Sequence, residues 1–376
     1  MKRCPSCNSK VTKNGPNKKG EQVYRCKSCR KTTTNPVLIE DIRQFNDIML
    51  SEIREKKESR QDRLRQTAAA TEIEFLRTQL DNYESLHRQS ETHEIVPTKS
   101  SGTSESVAIM QWADWHCEEI VHPDSVNGLN EFNPQIAIKR VDALANGAVK
   151  LTRIFQKDTH ISEYVIQLGG DFITGNIHEE NAEVCSEPPV DAISTAQSLL
   201  RSAIDFLLNH TKLNITFICN VGNHARITKK THIASEAGNS LETGLYKTLS
   251  SIYESEKRVK FIIKPSSFIF YEIYNNHMRF FHGHQVRYNN GVGTFAVPLY
   301  RKIANLNRTQ RADYNFMNHF HQSNFFSEVA SNGSLIGYNK FAMDHGFRYE
   351  LPQQNYCLFN KKWEVLTMKS PIILER

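Results

Sequence analysis

The 376-residue chain has no run of eighteen apolar residues, so a membrane-spanning helix is not expected. No apolar stretch stands behind the opening Met1-Lys-Arg-Cys-Pro-Ser-Cys7, so a secretory signal is not expected either, and the cytoplasm is the expected location. Acidic residues are almost missing from positions 1–36. Glu21 stands there against ten Lys and Arg, a net charge of +9, whereas the whole chain carries only +6. The excess positive charge therefore sits in the N-terminal tenth and points to a polyanion as its partner. A disulfide rhythm is also absent. Cys117, Cys185, Cys219 and Cys357 are scattered and read as buried thiols, while Cys4, Cys7, Cys26 and Cys29 form two Cys-x-x-Cys pairs. In a cytosolic chain such pairs indicate a metal site.

The two knuckles are separated by eighteen residues that hold Asn14-Gly15-Pro16 and Val23-Tyr24. Four thiolates suit one tetrahedral structural Zn²⁺. A segment of this size has almost no apolar core, so the ion is expected to supply most of its folding energy. Residues 1–36 are similar to the zinc ribbons that open some insertion-element transposases, down to Tyr24-Arg-Cys-Lys-Ser-Cys-Arg-Lys-Thr32. That resemblance implies DNA binding. It does not imply transposition, which needs an acidic triad, whereas the clusters further on are His-rich.

Residues 37–106 read as a charged helix followed by a flexible linker. Ile42, Phe45, Met49 and Ile53 recur at helical spacing, as do Ile73, Leu76, Leu80 and Tyr83, and between them Arg54–Arg63 contains no apolar residue. A solvated spacer and a homodimer formed through residues 38–92 fit this pattern equally. From residue 107 to 376 strands and helices alternate, then closely spaced strands follow Lys260. The pattern predicts two packed sheets flanked by helices.

Five short clusters punctuate that last region: Asp114-Trp-His116, Gly170-Asp171, Gly222-Asn223-His224, His282-Gly-His284 and His319-Phe-His321. The first four follow apolar runs that read as strands, and the fifth follows the short Tyr314–Met317. Residues at i and i+2 on extended backbone share a side, so each x-separated pair can reach one point. Seven hard or borderline donors are enough for two divalent cations, an arrangement suited to phosphate-ester hydrolysis.

The ordered set resembles the calcineurin-like metallophosphoesterase superfamily, including nuclease subunits of the bacterial SbcCD type and phage phosphoesterases. The resemblance implies a four-layer α/β/β/α sandwich, here preceded by the small zinc ribbon and the long helix. It implies that Asp114, His116, Asp171 and His321 hold one ion and that Asp171, Asn223, His282 and His319 hold the other. His224 is then the catalytic acid that protonates the leaving oxygen. Two positions depart from the family pattern. Ala225-Arg226 follows Gly-Asn-His where the family has an acid, and Asn318 replaces a glycine before His319. Arg226 is a candidate phosphate contact instead. His284, His178 and Asn176 are further candidate substrate contacts, as are Asn130, Asn133 and Glu179.

Mn²⁺ is the expected metal for the mixed carboxylate, amide and imidazole set, with Zn²⁺, Fe²⁺ and Mg²⁺ as alternatives. The basic ribbon joined to a phosphodiesterase core selects DNA as the expected substrate and partner, and a nuclease as the expected activity. Arg301, Lys302, Arg308 and Arg311 are candidates for flanking a backbone groove. A phosphatase or cyclic-nucleotide phosphodiesterase is the first alternative, and a non-catalytic DNA-binding protein is the second.

Overall fold

The computed structural model describes residues 1–89, 104–177, 179–287 and 295–375. The chain divides into two compact units, Met1–Thr98 and Lys99–Arg376. Among the described residues, no helix is long and apolar enough to cross a membrane.

The first unit opens with β1 (Lys2–Arg3), β2 (Val11–Pro16), β3 (Gln22–Cys26), β4 (Thr32–Thr33) and β5 (Val37–Leu38). β2, β3 and β4 form an antiparallel sheet, and β1 pairs with β5. The core under it is minimal: Cys4, Val11, Tyr24 and Cys26. Lys2 Nζ donates to the Tyr24 hydroxyl and covers the ring. Then comes α1 (Ile39–Gln89), a 51-residue helix about 77 Å long at 1.5 Å per residue. Ile73, Leu76 and Leu80 are exposed along it. The side chains of Ile42, Phe45, Ile53 and Tyr83, and residues 90–103 of the expected linker, lie outside the described set.

The second unit runs β6 (Ser104–Trp112), α2 (Pro134–Phe155), β7 (Thr159–Leu168), α3 (Asn181–Val184), α4 (Pro189–His210), β8 (Asn214–Cys219), α5 (Leu241–Ile252), β9 (Val259–Ile263), β10 (Ile269–Ile273) and β11 (Asn276–Phe280). It continues with α6 (Ala296–Leu306), β12 (Tyr314–Met317), β13 (Asn324–Phe325), β14 (Val329–Ser331), α7 (Lys340–Asp344), β15 (Gln353–Asn360) and β16 (Val365–Ile373). One sheet has the order β16-β15-β6-β7-β8-β9, in which β6 to β9 are mutually parallel. The other has the order β10-β11-β12-β14-β13, with β11 parallel to β12.

Alternation along the strands builds the layers. On β6, Ala108, Met110 and Trp112 face the core that contains α2, α4 and α5, whereas Val107 and Ile109 join the core that contains Met278, Phe280 and Phe316 of the second sheet. Leu299 and Ile303 of α6 pack with Phe281 and Met317 on that sheet's outer side. The result is the expected α/β/β/α sandwich. Pro134 and Pro189 occupy first-turn positions, where the missing N–H costs nothing, and Asn133 caps α2 by accepting from Ile136 N. Towards one end of the strands, amide side chains take over between the sheets. Gln111 donates to Met317 O at 2.8 Å, Gln167 to Phe281 O at 3.1 Å and Asn355 to Ser331 O at 2.8 Å.

Candidate metal centre

All five clusters lie just beyond the C-terminal ends of strands: β6, β7 and β8 in one sheet, β11 and β12 in the other. Parallel neighbours present the same end on the same side, so local sequence and sheet topology together collect the donors in one crevice. The loops interlock through backbone bonds. Asp114 N donates to Gly170 O at 3.0 Å, Trp115 N to Asp171 O at 2.9 Å and Asn318 N to His282 O at 2.7 Å. Gly170 has φ +91°, and a Cβ there would stand 2.2 Å from Gly222 N. Only glycine permits that contact.

Five of the expected donors adopt left-handed backbone: Asp114 (φ 53°), His116 (47°), Asp171 (53°), His319 (77°) and His321 (54°). Each such residue costs about 1–3 kcal/mol and persists only where its surroundings over-determine it. The interlocked loops supply that constraint.

The donor atoms converge in three groups: Asp114, His116 and His321; His116, Asp171 and His224; Asp171, His282 and His319, with the donor atoms of each group within 4.8 Å of one another. His116 and Asp171 each belong to two groups, and of the two only the carboxylate has two oxygens with which to serve two ions. Its Oδ1 accepts from His224 N at 2.8 Å, and its Oδ2 stands 2.9 Å from His282 Nε2. His319 N donates to Asp114 Oδ2 at 3.0 Å, and His321 Nε2 lies 3.5 Å from Asp114 Oδ1.

The imidazoles are oriented by their second nitrogens. His282 Nδ1 donates to Gly169 O at 2.7 Å. Thr174 Oγ1 donates to Glu119 Oε2 at 2.8 Å and therefore accepts from His116 Nδ1, also at 2.8 Å. Both rings thus keep Nε2 for another partner. Among the described residues, His116 Nε2 and Asn223 Oδ1 are buried and have no hydrogen-bond partner, while His282 Nε2 and Asp114 Oδ1 meet only other expected donors, Asp171 and His321. Buried polar atoms are normally satisfied, so donor atoms left unpaired, or paired only with one another, fit a site for a pair of cations.

Charge in the crevice is strongly coupled. Burial opposes ionisation of Asp171, but His282 and His224 hold its carboxyl well below the usual range. Burial would likewise lower His282, yet Asp171 carries that imidazole up to about 10. His116 and His319 are pushed well below their ordinary value, first by burial and then by neighbouring imidazoles. His321 rises because Asp114 outweighs burial.

The remaining expected contacts divide. Arg226 donates to the carbonyls of Asn223, Thr228 and Lys229, so its guanidinium is engaged by its own loop. His284 Nε2 meets Glu236 Oε1 at 2.6 Å, beside the ring of His282. Asn176 is exposed, and His178 lies outside the described residues. Asn130 holds Ile336 O and Tyr338 O and accepts from Arg140, while Asn133 caps α2; both therefore build the scaffold. Lys302 lies 5.9 Å over the Phe268 ring, and Arg311 pairs with Asp313.

Sequence reasoning missed the buried carboxylates around the donors. Glu118 Oε1 accepts from Thr174 N and Gly175 N, and burial pushes its carboxyl up to about 7. Glu242 accepts from Phe172 N and Gly222 N, and burial followed by Asp171 pushes it up to about 7. The detectable signal was α5 itself: Ser240 as N-cap, then Leu241, Leu245 and Leu249 at helical spacing.

In the first unit the four thiols converge as a second metal-binding group. Cys4 and Cys29 Sγ are 3.6 Å apart, and Cys7 and Cys26 Sγ are 3.4 Å apart. The backbone of Ser9 brings the Cys7 thiol down to about 6, towards the thiolate a metal requires. Beside the knuckles is a cleft of about 380 Å³ lined by Ser9, Lys10, Thr12, Lys27 and Ser28.

No protein-family model and no curated protein matches the chain. Among solved structures, it is similar to vacuolar protein sorting 29 from Cryptosporidium parvum (11% identity, 68% of this chain and 86% of that one, TM-score 0.29). It is also similar to a predicted phosphoesterase from Streptococcus pneumoniae (9%, 71% and 98%, TM-score 0.24) and to the sulfate thiohydrolase SoxB from Thermus thermophilus (7%, 75% and 58%, TM-score 0.32). Likenesses this distant assign no activity. The chemistry of the chain rests on its own side chains.

Proposed function

We propose that the second unit is a two-metal-dependent phosphoesterase and that its substrate is DNA, cleaved at phosphodiester bonds and bound in part by the cationic N-terminal unit. The observation that carries this reading is the convergence of Asp114, His116, Asp171, His282, His319 and His321 on one crevice, with His116 Nε2 and Asn223 Oδ1 buried there without hydrogen bonds. Asp114, His116, Asp171 and His321 would hold one cation, and Asp171, Asn223, His282 and His319 the other. Divalent cations so placed supply charge neutralisation at a phosphate and activate water towards phosphorus. The donor set suits Mn²⁺, whereas the four thiols suit structural Zn²⁺.

The protein's own groups do the positioning. Thr174 Oγ1 and Gly169 O fix the rings of His116 and His282. His224 donates from Nδ1 to Thr174 O at 2.9 Å, which fixes its ring and leaves Nε2 as the atom to protonate a leaving oxygen. Arg226 steadies Asn223 through that residue's carbonyl.

DNA is supported by the +9 charge of residues 1–36 and by the hydroxyl- and ammonium-lined cleft at Lys10 and Lys27, the groups that commonly meet backbone phosphates. The exposed Ile73, Leu76 and Leu80 support self-association through α1, measurable by sedimentation. The test is a Mn²⁺-loaded assay on duplex, single-stranded and hairpin DNA, cyclic nucleotides and a phosphopeptide. Degradation of DNA is expected. Intact DNA beside rapid hydrolysis of a cyclic nucleotide or phosphopeptide would replace the nuclease with a phosphodiesterase or phosphatase.

A further inference from the structure

We propose that Glu242 is a positioning residue whose carboxylate ties together the loops delivering Asp171 and Asn223 and so sets the spacing of the cation pair; the inference rests on the two-metal reading above. Glu242 is completely buried in the first turn of α5. Its Oε1 accepts from Phe172 N at 2.9 Å and its Oε2 from Gly222 N at 2.7 Å. Phe172 directly follows Asp171, and Gly222 directly precedes Asn223. One side chain therefore spans the β7 and β8 loops at the point where each presents a donor.

The chemistry of the bridge is selective. Two backbone N–H groups face it, so both atoms of the bridging group must accept. A carboxylate does this, whereas a glutamine amide would set its own N–H groups against one of them. α5 is registered on the same loop by independent contacts: Leu241 N donates to Ala225 O at 2.9 Å, and Arg226 bridges to Ser240. Ala225, directly after Gly-Asn-His, is buried and brings no carboxylate of its own.

The loops have little other freedom. A Cβ at Gly222 would stand 2.1 Å from Asp171 Oδ1, so the glycine lets them touch and the carboxylate fixes how they touch. A buried acid serving stability alone would not need to reach both donor loops.

The experiment compares full-length wild type with Glu242→Gln and Glu242→Asp. Mn²⁺ binding is followed by calorimetry, magnetic coupling of the pair by electron paramagnetic resonance, and folding by circular dichroism and thermal melting. In the variants the second Mn²⁺ equivalent is expected to weaken about 10–100-fold, the scale of lost outer partners, and the coupled signal to give way to isolated Mn²⁺ while the fold persists. Two coupled equivalents at wild-type affinity in both variants would overturn the proposal. So would loss of folding in both, which would make Glu242 a support of the sandwich and not of the loops. Wild-type protein that takes up the coupled pair yet hydrolyses no phosphate ester would sink the enzymatic reading and leave this one standing.

Discussion

His282 shows how the crevice is kept charged. Asp171 overrides burial and carries the imidazole up to about 10, so near neutral pH a proton occupies the nitrogen a cation needs. Loading must expel that proton. Calorimetric titration in buffers of different ionisation enthalpy should show proton release, and affinity should tighten as pH rises towards 10. Affinity flat between about pH 6 and pH 9 would contradict this. His224 is expected to behave differently from the ligands. His224→Ala should keep both metals and lower hydrolysis about 10²–10⁴-fold, the range of a lost general acid. Asp171→Asn removes a charge shared by two donor groups, and metal analysis should find fewer than two equivalents in the crevice.

At the scale of elements, the parallel strands were the most legible part of the sequence. Apolar runs at Ser106–Trp112, Tyr164–Leu168 and Ile215–Val221 announce β6, β7 and β8 because buried parallel strands carry apolar residues on both faces. The short run Tyr314–Met317 is β12. α5 has leucines that repeat every four residues, but it is short and lies between two donor clusters, and Glu242 reads in sequence as an ordinary surface acid. The two-residue β13 is too short to show a period, and Asn133 looked like a substrate contact because a capping side chain and a binding side chain are the same in sequence. Spacing marked the expected donors, and the structure brings Asp114, His116, Asp171, His282, His319 and His321 together, whereas Thr174 and Glu119, which orient His116, carry no local signature. In the ribbon, Lys10→Glu with Lys27→Glu should weaken DNA binding uniformly across sequences. It should also reduce the slope of log affinity against log salt by about two, one for each lost phosphate contact. Hydrolysis of a small bis-phosphodiester should stay unchanged in that variant, and a parallel loss there would contradict the separation of roles.

The whole second unit depends on how its two sheets meet. Asp114, His116, Asp171 and Asn223 hang from one sheet, and His282, His319 and His321 from the other. Cations in the crevice are therefore expected to stabilise the fold, by about 2.7 kcal/mol when free metal is a hundredfold above Kd. For a domain of this size that is a shift of several degrees in the unfolding temperature. A scan with and without chelator measures it, and the same shift in a chain whose four cysteines are replaced assigns it to the sandwich. The amides of Gln111, Gln167 and Asn355 already stitch the same seam without any ion. That seam gives the molecule a rivet line: cations bound there would fasten what the amides have pinned, so chelator-treated protein should loosen first along the crevice and last at the far ends of the strands.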